Sequence, residues 1–133
     1  MSAVSPVTER PPHALSPRIA AALGIDDEPL RAAPLELWAA ECQCIVDGRR
    51  VDLSRRECAL LTVLVAAPDR VLIRERLYEL VWGHTMPTRG RDVDAYVRKV
   101  RMKLAEAAPD WSFIHTHHRV GYRFTPEKTD PSP

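Results

Sequence analysis

Between Arg91 and Ala107 the chain places Val93, Val97, Val100 and Leu104 at spacings of four, three and four residues. At 100° per residue these side chains fall within about 60° of one another, the apolar stripe of a helix that forms one wall of a core. The opposite side is a different surface. Arg91, Ala95, Arg98 and Met102 are centred there, with Lys99 on one flank and Asp94 and Arg101 on the other. The same segment dominates the charge distribution. Residues 1–54 carry five positive and eight negative charges, whereas residues 83–104 set Arg89, Arg91, Arg98, Lys99, Arg101 and Lys103 against Asp92 and Asp94. In a chain whose net charge is only +1, the positive charge is gathered rather than spread.

The rest of the chain limits what can surround that helix. With 133 residues, 45% hydrophobic and 28% charged, it has material for one globular domain with a single modest core. The longest apolar run, Cys58 to Ala67, is ten residues, and a membrane-spanning helix needs about 20. MSAVSPVTERPPH at the start has no apolar stretch of the kind a secretory signal requires, so the chain is expected to be cytoplasmic and nucleoid-associated, with no membrane partner.

Residues 1–34, rich in proline and alanine, read as a flexible segment, within which Ser16, Pro17 and Gly24 bracket one short helix. LELWAA (35–40) and CQCIV (42–46) read as short strands, and Asp47-Gly48 before RRVDL (49–53) signals a hairpin. Ser54 with Glu57 forms a capping box ahead of a helix that Pro68 closes, and IRERLYELVW (73–82) reads as a second helix stopped by Gly83. WSFIHT (111–116) and GYRFT (121–125), joined through His117, His118, Arg119 and Val120, make a second hairpin, and residues 126–133 read as a flexible tail.

Three cysteines, Cys42, Cys44 and Cys58, are expected to remain reduced core thiols. Cys42 with Cys44, and His115 with His117 and His118, invite a metal reading because residues two apart in a strand share a face. No Cys-x-x-Cys spacing supports it, so neither metal nor cofactor is expected. A glycine-rich phosphate loop, a nucleophile elbow and usefully spaced paired carboxylates are all missing from the sequence, which argues against an enzyme.

A strip of base-reaching side chains opposite a buried stripe is the geometry needed to lay a helix in the DNA major groove. The order of elements and motifs then resembles the winged helix-turn-helix effector domain of OmpR/PhoB-type response regulators. The matching residues are Leu53-Ser54 with Glu57, Pro68-Asp69-Arg70-Val71, Arg74-Glu75-x-Leu77 and Val81-Trp82-Gly83. Arg91-x-Val93-Asp94, Val97-Arg98-Lys99-Val100-Arg101, Lys103-Leu104, Ile114-x-Thr116 and Gly121-Tyr122-Arg123 complete the set.

The resemblance spans residues 35–125 and implies an α+β fold: an N-terminal antiparallel sheet of four strands, three helices and a two-stranded C-terminal β-hairpin wing. It implies sequence-specific binding of double-stranded DNA by a transcriptional regulator, with helix 91–107 in the major groove and the wing in the minor groove. Ala95, Arg98 and Lys99 would face bases, with Arg91 and Arg101 at phosphates. Arg74, Trp82 and Tyr122 would touch phosphate or sugar, with core packing the alternative for Trp82. His118 and Arg119 stand at the wing tip, where the family usually has Arg-Gly, and Ile73 stands where the family usually has a capping serine. The family's phospho-accepting receiver is missing from these residues. The resemblance further implies RNA polymerase as a partner of loop 84–90, and a monomer or weak dimer that assembles in tandem on DNA. The competing reading is a winged helix reused as a protein-protein interaction module of the transcription machinery.

Overall fold

The computed structural model describes residues 17–24, 28–87 and 91–129. The expectations for residues 1–13 and the capping roles of Ser16 and Gly90 lie outside the described residues. Helix α1 (Pro17–Leu23) comes first and packs against a later helix through Ile19, which is 2% exposed. Four antiparallel strands follow, β1 (Leu30–Ala32), β2 (Leu35–Trp38), β3 (Gln43–Val46) and β4 (Arg49–Val51), hydrogen-bonded in sequence order. Helix α1 falls where the sequence bracketed a short helix, whereas the sheet's first strand lies in the segment 1–34 that the sequence otherwise assigned to a flexible stretch.

Strands β2 and β3 bury Leu35, Leu37, Cys44 and Val46 and turn Glu36, Gln43 and Ile45 outwards, the period-two pattern of a half-buried sheet. Asp47 and Gly48 between β3 and β4 have φ of 52° and 80°. Two successive left-handed residues are what a two-residue hairpin turn requires, and Asp-Gly supplies them at low cost.

Helix α2 (Arg55–Val65) begins at a complete capping box, in which Glu57 N donates to Ser54 Oγ at 3.2 Å and Ser54 N donates to Glu57 Oε1 at 2.8 Å. After α2 the chain turns at Asp69, whose φ is 65° and whose N–H donates to Phe124 O at 2.9 Å. Strand β5 (Val71–Ile73) leads directly into α3 (Arg74–Trp82), which ends at Gly83 in the left-handed conformation. Helix α4 (Arg91–Ala107) and strands β6 (Trp111–His117) and β7 (Gly121–Lys128) complete the chain. The core lies between these layers. Val93, Val97, Val100 and Leu104 of α4 are each no more than 2% exposed and meet Leu60, Leu61 and Leu64 of α2, Leu77 of α3 and Phe124 of β7 in one cluster.

The N-terminal antiparallel sheet, the three long helices and the C-terminal hairpin stand as expected. Strand β7 continues through Pro126, Glu127 and Lys128, the start of the stretch expected to be a flexible tail, because Glu127 and Lys128 pair with Ser112 and Trp111 of β6. Two further expectations need correction. The wing is part of a three-stranded sheet, in the order β5-β7-β6, rather than a two-stranded hairpin. Three residues are too few to display alternation, and Ile73 fitted the apolar pattern of the helix that follows it. Gly121 makes the pairing possible, because a Cβ there would sit 1.9 Å from the carbonyl oxygen of Leu72. The cysteines also differ from expectation: Cys42 and Cys58 are joined as a disulfide, with a Cα–Cα distance of 5.8 Å. The turn between β2 and β3 brings Cys42 over the first turn of α2, a meeting that spacing along the chain does not show. Cys44 remains a free, buried thiol, its pKa pushed up to about 12 by burial.

Candidate nucleic-acid interface

The buried stripe of α4 fixes which side of the helix faces solvent. Arg91, Asp92, Ala95, Arg98, Lys99 and Met102 are all exposed, so four of the residues selected from the sequence share one accessible strip. Lys99 Nζ lies 4.6 Å from the centroid of the Tyr96 ring, a cation–π contact that holds the ammonium beside the helix. Met102, 59% exposed, adds an apolar side chain at the C-terminal end of the strip.

At the wing tip, His118 and Arg119 are both exposed, and Val120 N donates to His117 O at 2.9 Å to close the turn. Arg119 has φ of 66°, the left-handed position that favours glycine. The two neighbouring histidines are engaged within the hairpin. His115 Nε2 bonds the Thr125 carbonyl at 2.8 Å, and Arg123 Nε donates to His117 Nε2 at 3.0 Å. Among the described residues no group of three or more His, Cys, Asp or Glu side chains is placed to hold a metal ion.

Behind these surfaces three elements meet at one carboxylate. Arg74 Nε, at the start of α3, donates to Asp94 Oδ1 of α4 at 2.8 Å, and the Tyr122 hydroxyl of β7 donates to the same oxygen. Burial tends to raise the pKa of Asp94, but the hydrogen bonds from Tyr122 and Arg74 and the guanidinium charge outweigh it and hold the carboxyl below its usual range. The same contacts act on the partners: the hydrogen bond to Asp94 raises Arg74, while burial and then Asp94 push Tyr122 up. Arg74 is thus half-buried and ion-paired, and Tyr122 is only 5% exposed, with its hydroxyl engaged by Asp94. In the sequence Asp94 reads as a negative charge on the flank of the basic helix and as part of the Arg91-x-Val93-Asp94 match, with nothing to indicate Arg74 and Tyr122 as its partners.

Arg101 and Trp82 likewise face protein groups. Arg101 Nε donates to Ile114 O at 3.1 Å and its Nη2 to Thr116 Oγ1 at 2.5 Å, while its guanidinium lies 5.6 Å from the Tyr122 ring centroid. It braces α4 against β6. Trp82 stacks on Tyr78 with ring centroids 4.6 Å apart, meets Tyr96 edge-on at 5.5 Å and carries the Arg56 guanidinium at 4.8 Å. Sequence reasoning missed Arg56 and Tyr96 here, although Tyr78 and Trp82 stand four residues apart, the spacing at which helical side chains meet.

Residues 48–124 match the family described as "Transcriptional regulatory protein, C terminal". The response regulator MprA of Mycobacterium ulcerans is 48% identical over 75 residues, 56% of this chain and 32% of that protein. The chain thus spans about a third of the length of the curated relatives it matches. Among solved structures, the Klebsiella pneumoniae RstA DNA-binding domain in complex with RstA box is similar with a TM-score of 0.66 and 25% identity, covering 73% of this chain and 96% of that one. Response regulator DrrB, a Thermotoga maritima OmpR/PhoB homologue, shares the fold with a TM-score of 0.65 at 24% identity over 81% of this chain and 49% of that one. Family and fold are those of transcription regulator domains and not of enzymes. With more than half of its residues matched and its sheet, helices and wing in place, the chain belongs to the OmpR/PhoB-type winged helix-turn-helix DNA-binding domains of transcriptional regulatory proteins.

Proposed function

We propose that this chain binds double-stranded DNA sequence-specifically as a bacterial transcriptional regulator, with α4 in the major groove and the wing tip in the adjacent minor groove. The observation that carries the reading is the exposed cationic strip of α4 on a helix whose other face is completely buried. Arg98 and Lys99 face bases, Ala95 permits close approach, and Met102 suits a thymine methyl. Arg91 and the start of α3 lie at phosphates, with His118 and Arg119 entering the narrow groove. Arg101, Trp82 and Tyr122 hold this surface in place from behind. The RstA DNA-binding domain, solved in complex with RstA box, supports the DNA-binding part of this reading.

The chain works in the cytoplasm on the nucleoid, as a monomer or weak dimer whose copies line up in tandem on DNA, with RNA polymerase met through loop 84–90. Thr88, Arg89 and Gly90 of that loop lie outside the described residues. The rival reading, a protein-protein module, draws on Val71, Ile73 and Val120, exposed apolar side chains on β5 and the wing turn. Selection from a randomised duplex library followed by a salt titration separates the two. DNA recognition yields an enriched sequence whose affinity falls steeply with salt as counterions are released, whereas a protein module enriches nothing.

A further inference from the structure

We infer that Asp94 is a positioning residue, tethering the N-terminal half of α4 to the start of α3 and to the wing sheet, and that DNA binding depends on this tether. The inference rests on the DNA reading and makes a claim that charge alone contradicts. Asp94 places a carboxylate, with 42% of its side chain exposed, on the flank of a helix proposed to approach phosphates. By electrostatics alone its removal strengthens binding, the more so because Arg74 is then free to meet a phosphate.

The geometry argues the other way. One oxygen, Asp94 Oδ1, accepts from both Arg74 Nε and the Tyr122 hydroxyl. Both donors belong to the wing assembly: Arg74 N donates to Val120 O at 3.4 Å, and Tyr122 is paired with Leu72 on one side and Thr116 on the other. Among the described residues, the side-chain hydrogen bonds of α4 to the rest of the fold come from Asp94, Arg101 and Lys103. Only Asp94 lies in the half of the helix that carries Arg91, Ala95 and Arg98. Val93 and Val97 hold this half to the core through non-directional packing, which resists separation better than rotation, and the edge-on contact of Tyr96 with Trp82 adds a weaker orienting term than a charge-assisted hydrogen bond. The charge-assisted bonds at Asp94 fix the rotation, and with it the angle at which Arg98 and Ala95 meet a groove.

Three variants test the tether. Asp94→Ala removes charge and acceptor together. Asp94→Asn removes the charge but keeps an oxygen for both donors, and Tyr122→Phe removes one donor while the fold keeps its ring. Hydrogen exchange reads the tether without DNA: amides of Val93 to Lys99 should exchange about tenfold faster in Asp94→Ala and change little in Asp94→Asn. Fluorescence anisotropy reads the consequence, using as probe a duplex enriched from a random library by the wild-type chain. Affinity should fall about tenfold in Asp94→Ala, less in Tyr122→Phe, and stay within about threefold of wild type in Asp94→Asn. Unchanged exchange in Asp94→Ala overturns the tether. Faster exchange with equal or tighter DNA binding overturns its role in recognition, as does equal tightening in the Ala and Asn variants, the purely electrostatic outcome. A wild-type chain that enriches no duplex overturns the DNA reading itself, and the exchange data still decide whether Asp94 fixes the helix.

Discussion

Glu57 and Lys103, forty-six residues apart, meet at 2.6 Å, and the Glu57 oxygen that accepts from Lys103 Nζ also accepts from Ser54 N at 2.8 Å. The cap of α2 and the C-terminal half of the cationic helix therefore share one carboxylate, only 4% exposed as a residue. Lys103→Ala leaves that carboxylate buried without its counter-charge. Because the lysine side chain is itself 38% exposed, the expected loss is moderate, about 1–2 kcal/mol in urea unfolding at pH 7.

The same pair sets an acid dependence. Burial by itself raises the pKa of Glu57, but bonds from Lys103 and Ser54 outweigh it and leave the pKa lowered. A depressed folded-state pKa gives stability that is fully present above the unfolded value of about 4.3 and is lost as pH falls through the folded value. Urea midpoints measured between pH 7 and pH 3 should fall for wild type, and less steeply for Lys103→Ala. Parallel curves would show that Lys103 does not set the shift.

Gly121→Ala is expected to be the most damaging small substitution in the wing. Its Cβ would meet Leu72 O at 1.9 Å and Ile73 Cα at 2.8 Å, both backbone atoms that cannot swing aside. The β5–β7 pairing must open, at a cost of about 3 kcal/mol or more. Thermal unfolding followed by circular dichroism reads it, and a melting temperature equal to wild type would contradict the close approach.

Arg119→Gly separates stability from binding at the wing tip. Glycine relieves the left-handed strain at φ 66°, offset by its greater freedom when unfolded, for a net gain of about 0.5–1 kcal/mol. It also deletes an exposed cation, so DNA affinity should fall while the melting temperature rises. A variant that gains both would remove Arg119 from the interface.

Much of this architecture was legible because it rests on local rules. The Val93, Val97, Val100 and Leu104 stripe fixed the buried side of α4, Asp47-Gly48 marked its hairpin, and Ser54 with Glu57 marked the start of α2. The exposed strip followed from the stripe by geometry. What stayed hidden depends on contacts between distant segments. Strand β5 exists because Gly121 lets Leu72 approach, and neither residue announces the other in sequence. The Cys42–Cys58 pairing needs the β2–β3 turn to fold over α2. Asp94, Arg101 and Tyr122 share this character: one charge of the wrong sign, one cation and one aromatic ring each read as surface chemistry until the fold turns them towards one another.

Assembly provides a further check. The domain should sediment as a monomer at micromolar concentration without DNA, and two copies should occupy direct repeats about one helical turn apart on a selected duplex. A tight dimer in the absence of DNA would contradict the tandem arrangement.

The exposed strip of α4 is proposed to read DNA bases, and Arg98 stands at its centre, exposed and distant from the buried stripe. The most direct measurement is anisotropy of a library-selected duplex and of its point-substituted versions, titrated with wild type, Arg98→Ala and Lys99→Ala at one fixed salt concentration. Each variant should keep the wild-type melting temperature, lose about 1–3 kcal/mol on the selected site and discriminate less at one base position. Variants that bind the selected duplex and its substituted versions as wild type does would contradict the assignment of α4 as the recognition helix.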